Sequence, residues 1–197
     1  MKKLIDGSKI LGLADAEKLF QTYRNILVHG KSKGQKSLST LEFIIMLLGA
    51  GGKPIYGNTR FQKESFIVYN EYISKRTEVM IENPNFIPFH LGPYSFKLAE
   101  LMSLLTITGY VKHQGKINTN SQAYYLTPSG IKLFNKLKSS NEVLIEKIAK
   151  ARRNLDEFDI KGLLKYVYNK PEYKSYTKYS RVKKKYYDGI TWGRQRA

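Results

Sequence analysis

The sequence contains no cysteine, which excludes a disulfide framework and any metal site built from thiolates. Its three histidines, His29, His90 and His113, stand far apart and have no acidic residues at metal-ligand spacing. Nucleophile-elbow, HExxH and paired-carboxylate patterns are also missing. We therefore predict a protein that is not an enzyme and needs neither a metal nor another cofactor.

Long apolar runs are lacking as well. The longest, residues 43–48, is far shorter than the roughly 20 residues that a membrane-spanning helix needs. Lys2 and Lys3 are not followed by the apolar stretch of a signal peptide. Together with the absence of cysteine, these features predict a cytoplasmic protein without membrane contact.

Acidic residues are scarce, with 16 Asp and Glu against 34 Lys and Arg, so the formal net charge is +18. Such an excess favours a polyanionic partner, foremost DNA or structured RNA, although a solvated basic surface is the alternative. The net charge is +5 over residues 1–40, +4 over residues 41–160 and +9 over residues 161–197. This division predicts an almost neutral body between two cationic ends.

The stretch from residue 86 to residue 134 organises the chain. It reads as a strand, a helix, a hairpin and a second helix, which is the order of a winged-helix core. We therefore predict an α+β, mostly helical fold: a winged helix-turn-helix core with added N- and C-terminal helices and a basic C-terminal tail. The predicted boundaries are an N-terminal helix and basic linker (1–37), the winged-helix domain with C-terminal helices (38–168) and a basic aromatic tail (169–197).

Capping and periodicity place the individual elements. The pattern S-x-x-E at Ser39 predicts a helix over about 40–48, and T-x-x-Q at Thr59 predicts one over about 59–73. The remaining elements are a strand at 86–91, a helix from 94 or 95 to 109, hairpin strands at 110–114 and 122–126, a helix from Thr127-Pro128, an amphipathic helix near 143–155 and a short helix at 159–168. The amphipathic helix either forms a homodimer or covers its own domain.

The third helix of a winged-helix protein is the one that enters the major groove. At 100° per residue, its core face comprises Leu98, Leu101, Met102 and Leu105. The opposite face carries Phe96, Ala99, Glu100 and Ser103, with Lys97 at its flank. This face lacks the Arg, Asn or Gln that usually read bases, and Glu100 would repel phosphate. Phe96 instead suggests either a protein contact or packing against the N-terminal helix.

Basic and polar side chains in several segments are the predicted nucleic-acid contacts, although each is also explained as an ordinary solvated side chain. They are Lys31, Lys33 and Lys36 in the linker, Arg60 and Lys63 in the second helix, Lys97 and Ser103 in the third, Lys112, His113, Lys116 and Asn118 in the wing, and Lys174, Lys178, Arg181, Lys183, Lys184, Lys185, Arg194 and Arg196 in the tail.

Aromatic residues alternate with these cations in the tail, and such rings stack on exposed bases. The predicted stacking residues are Tyr176, Tyr179, Tyr186, Tyr187 and Trp192. In the alternative interpretation, the tyrosine rings lie back on the domain and only the charges project.

Several motifs resemble a known family. The segments GNTRFQKESFIV, FIPFHLGPYS, LxxLxxxxGYV (residues 101–111), YYLTPSG and LLKYVYNKPEY are similar to YwgA-type proteins, which are related to the phage-associated Panacea antitoxin domains. The resemblance covers roughly residues 40–180, and its YxLTxxG element also occurs in PadR-like and MarR-like repressors. It implies a winged-helix fold without catalytic residues, and either toxin neutralisation by protein contact or DNA binding.

Three functions are therefore expected from the sequence. The first is a non-enzymatic winged-helix DNA-binding protein that acts as a transcriptional regulator or a chromatin-type protein. The second is an RNA- or ribosome-associated binding factor. The third is an antitoxin-type module that contacts a protein partner through Phe96 and Glu100. The basic N-terminus and the long Tyr/Lys tail depart from a simple antitoxin.

Overall fold

The computed structural model describes residue 18 and residues 37–74, 79–116 and 121–180. Within these ranges the fold is mixed α/β, and helices predominate. The α-helices are α1 (Thr40–Ala50), α2 (Asn58–Ile67), α3 (Phe96–Ile107), α4 (Pro128–Ser140), α5 (Glu142–Asp156), α6 (Ile160–Asn169) and α7 (Lys174–Thr177). Of the predicted N-terminal helix and linker, only the isolated residue 18 and residue 37 lie within this part of the chain.

The strands are short and form three small sheets. They are β1 (Ser37–Leu38), β2 (Ile55–Tyr56), β3 (Met80–Ile81), β4 (Ile87–Phe89), β5 (Gly92–Tyr94), β6 (Val111–Gln114) and β7 (Ala123–Leu126). In the largest sheet, β7 lies between β2 and β6 and is antiparallel to both. The parallel pair of β1 and β3 and the hairpin of β4 and β5 make up the other two.

Helix α1 forms the centre of the core. The predicted capping box at its start is present: the Glu42 backbone N–H donates to Ser39 Oγ (3.1 Å), and the Ser39 backbone N–H donates to Glu42 Oε2 (2.8 Å). Every residue from 40 to 48 is buried, as expected for a helix that is apolar on all sides. Helices α3, α4 and α5 pack around it.

Helix α2 begins differently from the prediction. Its N-cap is Gly57 at a φ of 81°, a left-handed conformation that favours glycine, and no side chain caps its first turn. The predicted Thr59–Gln62 capping pair is therefore wrong, because the Gln62 side chain bonds to Ser95 instead. The chain continues from Val68 to Ile73 as a π-helical segment. At its end, the Ser74 N–H donates to the carbonyl of Tyr69, five residues earlier, at 2.8 Å.

The segment from β4 to α4 follows the predicted order. Ser95 caps α3 by accepting from the Leu98 N–H (3.0 Å), and Thr127 Oγ1 accepts from the Gly130 N–H (3.2 Å) at the start of α4. The four residues predicted for the core face of α3 are all buried. One detail differs: a single strand was predicted at 86–91, but β4 is followed by a second strand, β5, which contains Gly92 and Pro93 and is antiparallel to β4.

The C-terminal helices extend the same core. Helix α5 buries Leu144, Ile145 and Ile148 and packs against α1 and the π-helical segment, so it covers its own domain. The core also continues past the predicted boundary at residue 168. The rings of Tyr173 and Tyr176 pack edge-on against Phe66, at centroid distances of 4.6 and 4.9 Å. Residues 169–180 therefore belong to the packed body and not to the tail.

Candidate nucleic-acid interface

The outward face of α3 carries the side chains that the sequence predicts. Phe96 is 50% exposed, and Glu100 and Ser103 are exposed beside it along the helix. The Ser103 hydroxyl donates back to the Ala99 carbonyl (3.0 Å), and the Lys97 ammonium lies 2.5 Å from a Glu82 carboxylate oxygen. Lys97 is thus held by an ion pair. This face has an apolar and acidic character, which suits base reading poorly.

Phe96 belongs to a cluster of aromatic side chains at the amino end of α3. Its ring packs at right angles to those of Phe89 and Tyr94, at centroid distances of 5.4 and 5.0 Å. These partners come from the β4–β5 hairpin, whose tip is the exposed pair His90 and Leu91. The N-terminal helix, with which Phe96 was also predicted to pack, lies outside the described residues.

The predicted wing is the antiparallel pair of β6 and β7. Lys112 is exposed on β6, Lys116 is exposed shortly after it, and His113 on β6 is half-buried. Asn118 lies outside the described residues. Contact of the wing with nucleic acid stays a prediction.

Arg60 is partly buried and Lys63 is buried in this structure. Arg60 lies 2.9 Å from a Glu64 carboxylate oxygen and also donates to the carbonyls of Leu155 and Phe158. The Lys63 ammonium is buried and donates to the Pro93 carbonyl (2.8 Å). Burial lowers the pKa of Lys63 to about 7. The prediction is wrong for Lys63, because α2 packs in the interior and this side chain points inward. For the partly exposed Arg60 it stays a prediction.

A buried charge network links α2 to α5. The Arg152 Nε lies 3.1 Å from Glu64 Oε2, and both side chains are fully buried. The Arg152 guanidinium also donates to the carbonyls of Leu47 and Lys53, which ties it to α1. Burial raises the pKa of Glu64, and the positive charges of Arg152 and Arg60 oppose that shift. This network holds three helices together and is not exposed to a ligand.

A second cluster forms around Glu71 in the π-helical segment. Its carboxylate accepts from the hydroxyls of Tyr166 (2.9 Å) and Tyr173, and the Lys170 ammonium lies 2.6 Å away. Burial and the hydrogen bond to Glu71 raise the pKa of Tyr173. The sequence analysis missed this cluster, because its members come from segments about a hundred residues apart.

The start of the predicted tail is partly described. Tyr176 is half-buried, and its ring packs edge-on against Phe66, so it lies partly back on the domain; stacking of a base on it stays a prediction. Tyr179 is 68% exposed, and the Lys178 ammonium lies 4.6 Å from the centre of its ring. Lys174 is exposed. The other predicted tail residues lie outside the described part of the chain, as do Lys31, Lys33 and Lys36: Arg181, Lys183, Lys184, Lys185, Tyr186, Tyr187, Trp192, Arg194 and Arg196.

The charge of the body is larger than predicted. With the boundaries that the structure gives, residues 37–180 contain 20 basic and 12 acidic side chains, a net charge of +8. Residues 1–36 and 181–197 each carry +5. The body gains charge because five lysines counted with the C-terminal end lie on or beside packed helices. They are Lys161, Lys165, Lys170, Lys174 and Lys178.

Comparison with protein-family models, with curated proteins and with solved structures gave no match. The motif resemblance to YwgA-type and Panacea-type proteins therefore stays a prediction. Among residue 18 and residues 37–74, 79–116 and 121–180, no group of three or more His, Asp or Glu side chains could hold a metal ion. Within the same ranges, no helix has both the length and the apolar character needed to cross a membrane.

Proposed function

We propose that this chain is a non-enzymatic, cytoplasmic winged-helix protein that binds nucleic acid mainly through phosphate contacts made by its basic segments. The element order supports the winged-helix assignment: α1, β2, α2, α3 and then the β6–β7 hairpin, with the π-helical segment, β3 and the β4–β5 hairpin inserted between α2 and α3. Strand β2 pairs with β7, so that β7 lies between β2 and β6 in the sheet. In such an arrangement, α3 and the β6–β7 hairpin are the elements that approach nucleic acid.

The observation that carries the proposal is the charge of +18 on 197 residues. The cations are distributed over the whole chain, with exposed lysines on the wing and on α4, α6 and α7. At the end of the described chain, the Ser180 hydroxyl donates to the His90 carbonyl (2.9 Å) at the tip of the β4–β5 hairpin. Residue 180, the last described residue before the basic segment, therefore lies beside the β4–β5 hairpin.

The character of α3 supports contacts that are independent of base sequence. Phe96, Glu100 and Ser103 offer no bidentate pairing with guanine or adenine. A chromatin-type DNA-binding protein or a transcriptional regulator of low intrinsic specificity fits these properties. The alternative is an RNA- or ribosome-associated factor, which the same lack of base-reading side chains favours.

The test is the salt dependence of binding to duplex DNA and to structured RNA, measured by fluorescence anisotropy. Each phosphate neutralised on B-DNA contributes about −0.9 to the slope of log K against log salt. We expect a slope of about −4 or steeper, because several of the exposed lysines would contact phosphate together. A flat plot for both ligands would reject the proposal. A preference of about tenfold for one ligand at ~150 mM salt decides between DNA and RNA.

A second candidate function is docking of a protein partner, as in antitoxins. It is favoured by the aromatic cluster of Phe89, Tyr94 and the half-exposed Phe96. Aromatic anchors are typical of protein interfaces. The double substitution F96A/E100K should release a partner that co-purifies with the native protein.

The matched control is V143A/E146K on α5, which changes another exposed apolar and acidic pair, away from α3. It should leave the partner bound. If F96A/E100K also leaves every partner bound, docking through this face is wrong.

A further inference from the structure

A cavity of about 620 Å³ opens between the π-helical segment, α5 and the turn that follows α6. Its volume lies within the roughly 300–1,000 Å³ range of small-molecule sites. The π-helical segment contributes one wall with Asn70, Glu71 and Tyr72. π-Helical turns are rare, and those that exist are frequently found at functional sites. The π-helical segment therefore points to the same place as the cavity.

The charges around this cavity are arranged asymmetrically. Glu71 is already occupied, since it accepts from Tyr166 and Tyr173 and is paired with Lys170 at 2.6 Å. On the opposite wall, Lys147 and Lys150 project from successive positions of one face of α5. Glu172 is the remaining acidic side chain of the lining and is exposed. The α5 wall is therefore the cationic side of the cavity.

Aromatic side chains complete the lining. Tyr72 and Tyr176 are both half-buried, so each ring has one part packed in the body and another part open to the cavity. Tyr176 is held in place by its contact with Phe66. Rings held in this way form a surface on which a planar group, such as a nucleic-acid base, can stack.

We propose that this cavity binds one unpaired nucleotide of single-stranded nucleic acid. The base stacks against the tyrosine wall, and the phosphate is bound by Lys150 with Lys147 beside it. The assignment rests on the proposed nucleic-acid-binding function and adds to it a defined site for an unstacked base. The site lies on α5 and the π-helical segment, and therefore apart from the groove-facing helix of a winged-helix protein.

The experiment compares K150E with R153E in the full-length protein. Both substitutions reverse one exposed charge on α5, but only Lys150 lines the cavity. Binding of a single-stranded oligonucleotide and of a duplex of equal length is measured by anisotropy. We expect K150E to weaken single-strand binding at least about fivefold more than R153E does, and the two variants to weaken duplex binding equally. Equal losses for the single strand would overturn the assignment.

A second pair of variants tests the stacking surface. Y72L removes a ring that lines the cavity, whereas Y56L removes an exposed ring on β2. We expect Y72L alone to weaken single-strand binding, and equal affinities would contradict the inference. A competition experiment with a nucleoside monophosphate shows which form of nucleotide the cavity binds. If the monophosphate displaces the oligonucleotide, the cavity also binds a free nucleotide. If the wild-type chain binds neither strand form, the proposed function itself fails.

Discussion

Lys63 gives the sharpest stability prediction, because this lysine is held in the core and no acidic side chain of the described residues pairs with its ammonium. The Nζ donates to the Pro93 carbonyl at 2.8 Å, the side chain is buried, and burial lowers its pKa to about 7. In the unfolded chain the pKa returns to 10.5. Between pH 7 and 10.5 the unfolded state therefore binds more protons at this residue than the folded state does.

The sign of the effect follows from that difference. Stability rises with pH wherever the unfolded state binds more protons. The destabilisation caused by burying the charge of Lys63 is therefore lost as the pH rises from about 7 to 10.5. Each pKa unit corresponds to about 1.4 kcal/mol, which limits the whole effect to about 5 kcal/mol. Between about pH 7 and 9 we expect a gain of about 2–3 kcal/mol in the free energy of unfolding.

The assay is urea unfolding of the wild-type protein and of K63M at several pH values. Methionine preserves the length of the side chain but does not titrate, so the pH-dependent gain should disappear from K63M. The exposed Lys112 on β6 provides the control, and the curve of K112M should run parallel to that of the wild type. If the free energies of unfolding of the wild type and of K63M changed with pH in parallel, the claim that Lys63 is buried with a lowered pKa would be refuted.

Two further predictions concern the packed body. R152M should cost about 3–5 kcal/mol in urea unfolding, because it leaves Glu64 buried without its ion-pair partner, whereas E64Q/R152M should cost less than the two single changes together. A chain that ends at residue 168 should be destabilised by about 3–5 kcal/mol, because it loses the Tyr173 and Tyr176 rings that cover Phe66. A chain that ends at residue 180 should unfold within about 0.5 kcal/mol of the full-length protein, and equal losses for both truncations would contradict the boundary.

Local rules predicted the elements that carry local signals. The S-x-x-E capping box of α1, the Ser95 cap of α3 and the Thr127-Pro128 start of α4 are each fixed by residues three positions apart. The burial of Leu98, Leu101, Met102 and Leu105 follows from their helical spacing. These features need no knowledge of the distant chain.

The errors arose where distant segments decide the outcome. Gln62 matches a capping pattern, yet its amide pairs with the backbone of Ser95, 33 positions away. Lys63 reads as a surface cation but reaches the Pro93 carbonyl in the interior. Tyr173 stands in the basic aromatic segment that was predicted as a tail, but its ring packs against Phe66 in the core and its hydroxyl donates to Glu71. Tertiary contacts override local pattern at such positions, and one sequence does not reveal them.

The central claim, that cationic segments hold a nucleic acid, is tested most directly by neutralising them within the intact protein. Residues 1–36 contain eight Lys and Arg, and residues 181–197 contain six. In a variant with all of these replaced by Gln, we expect the affinity for DNA or RNA to fall at least about tenfold at ~150 mM salt, with a shallower salt slope. Unchanged affinity and an unchanged slope would contradict the account.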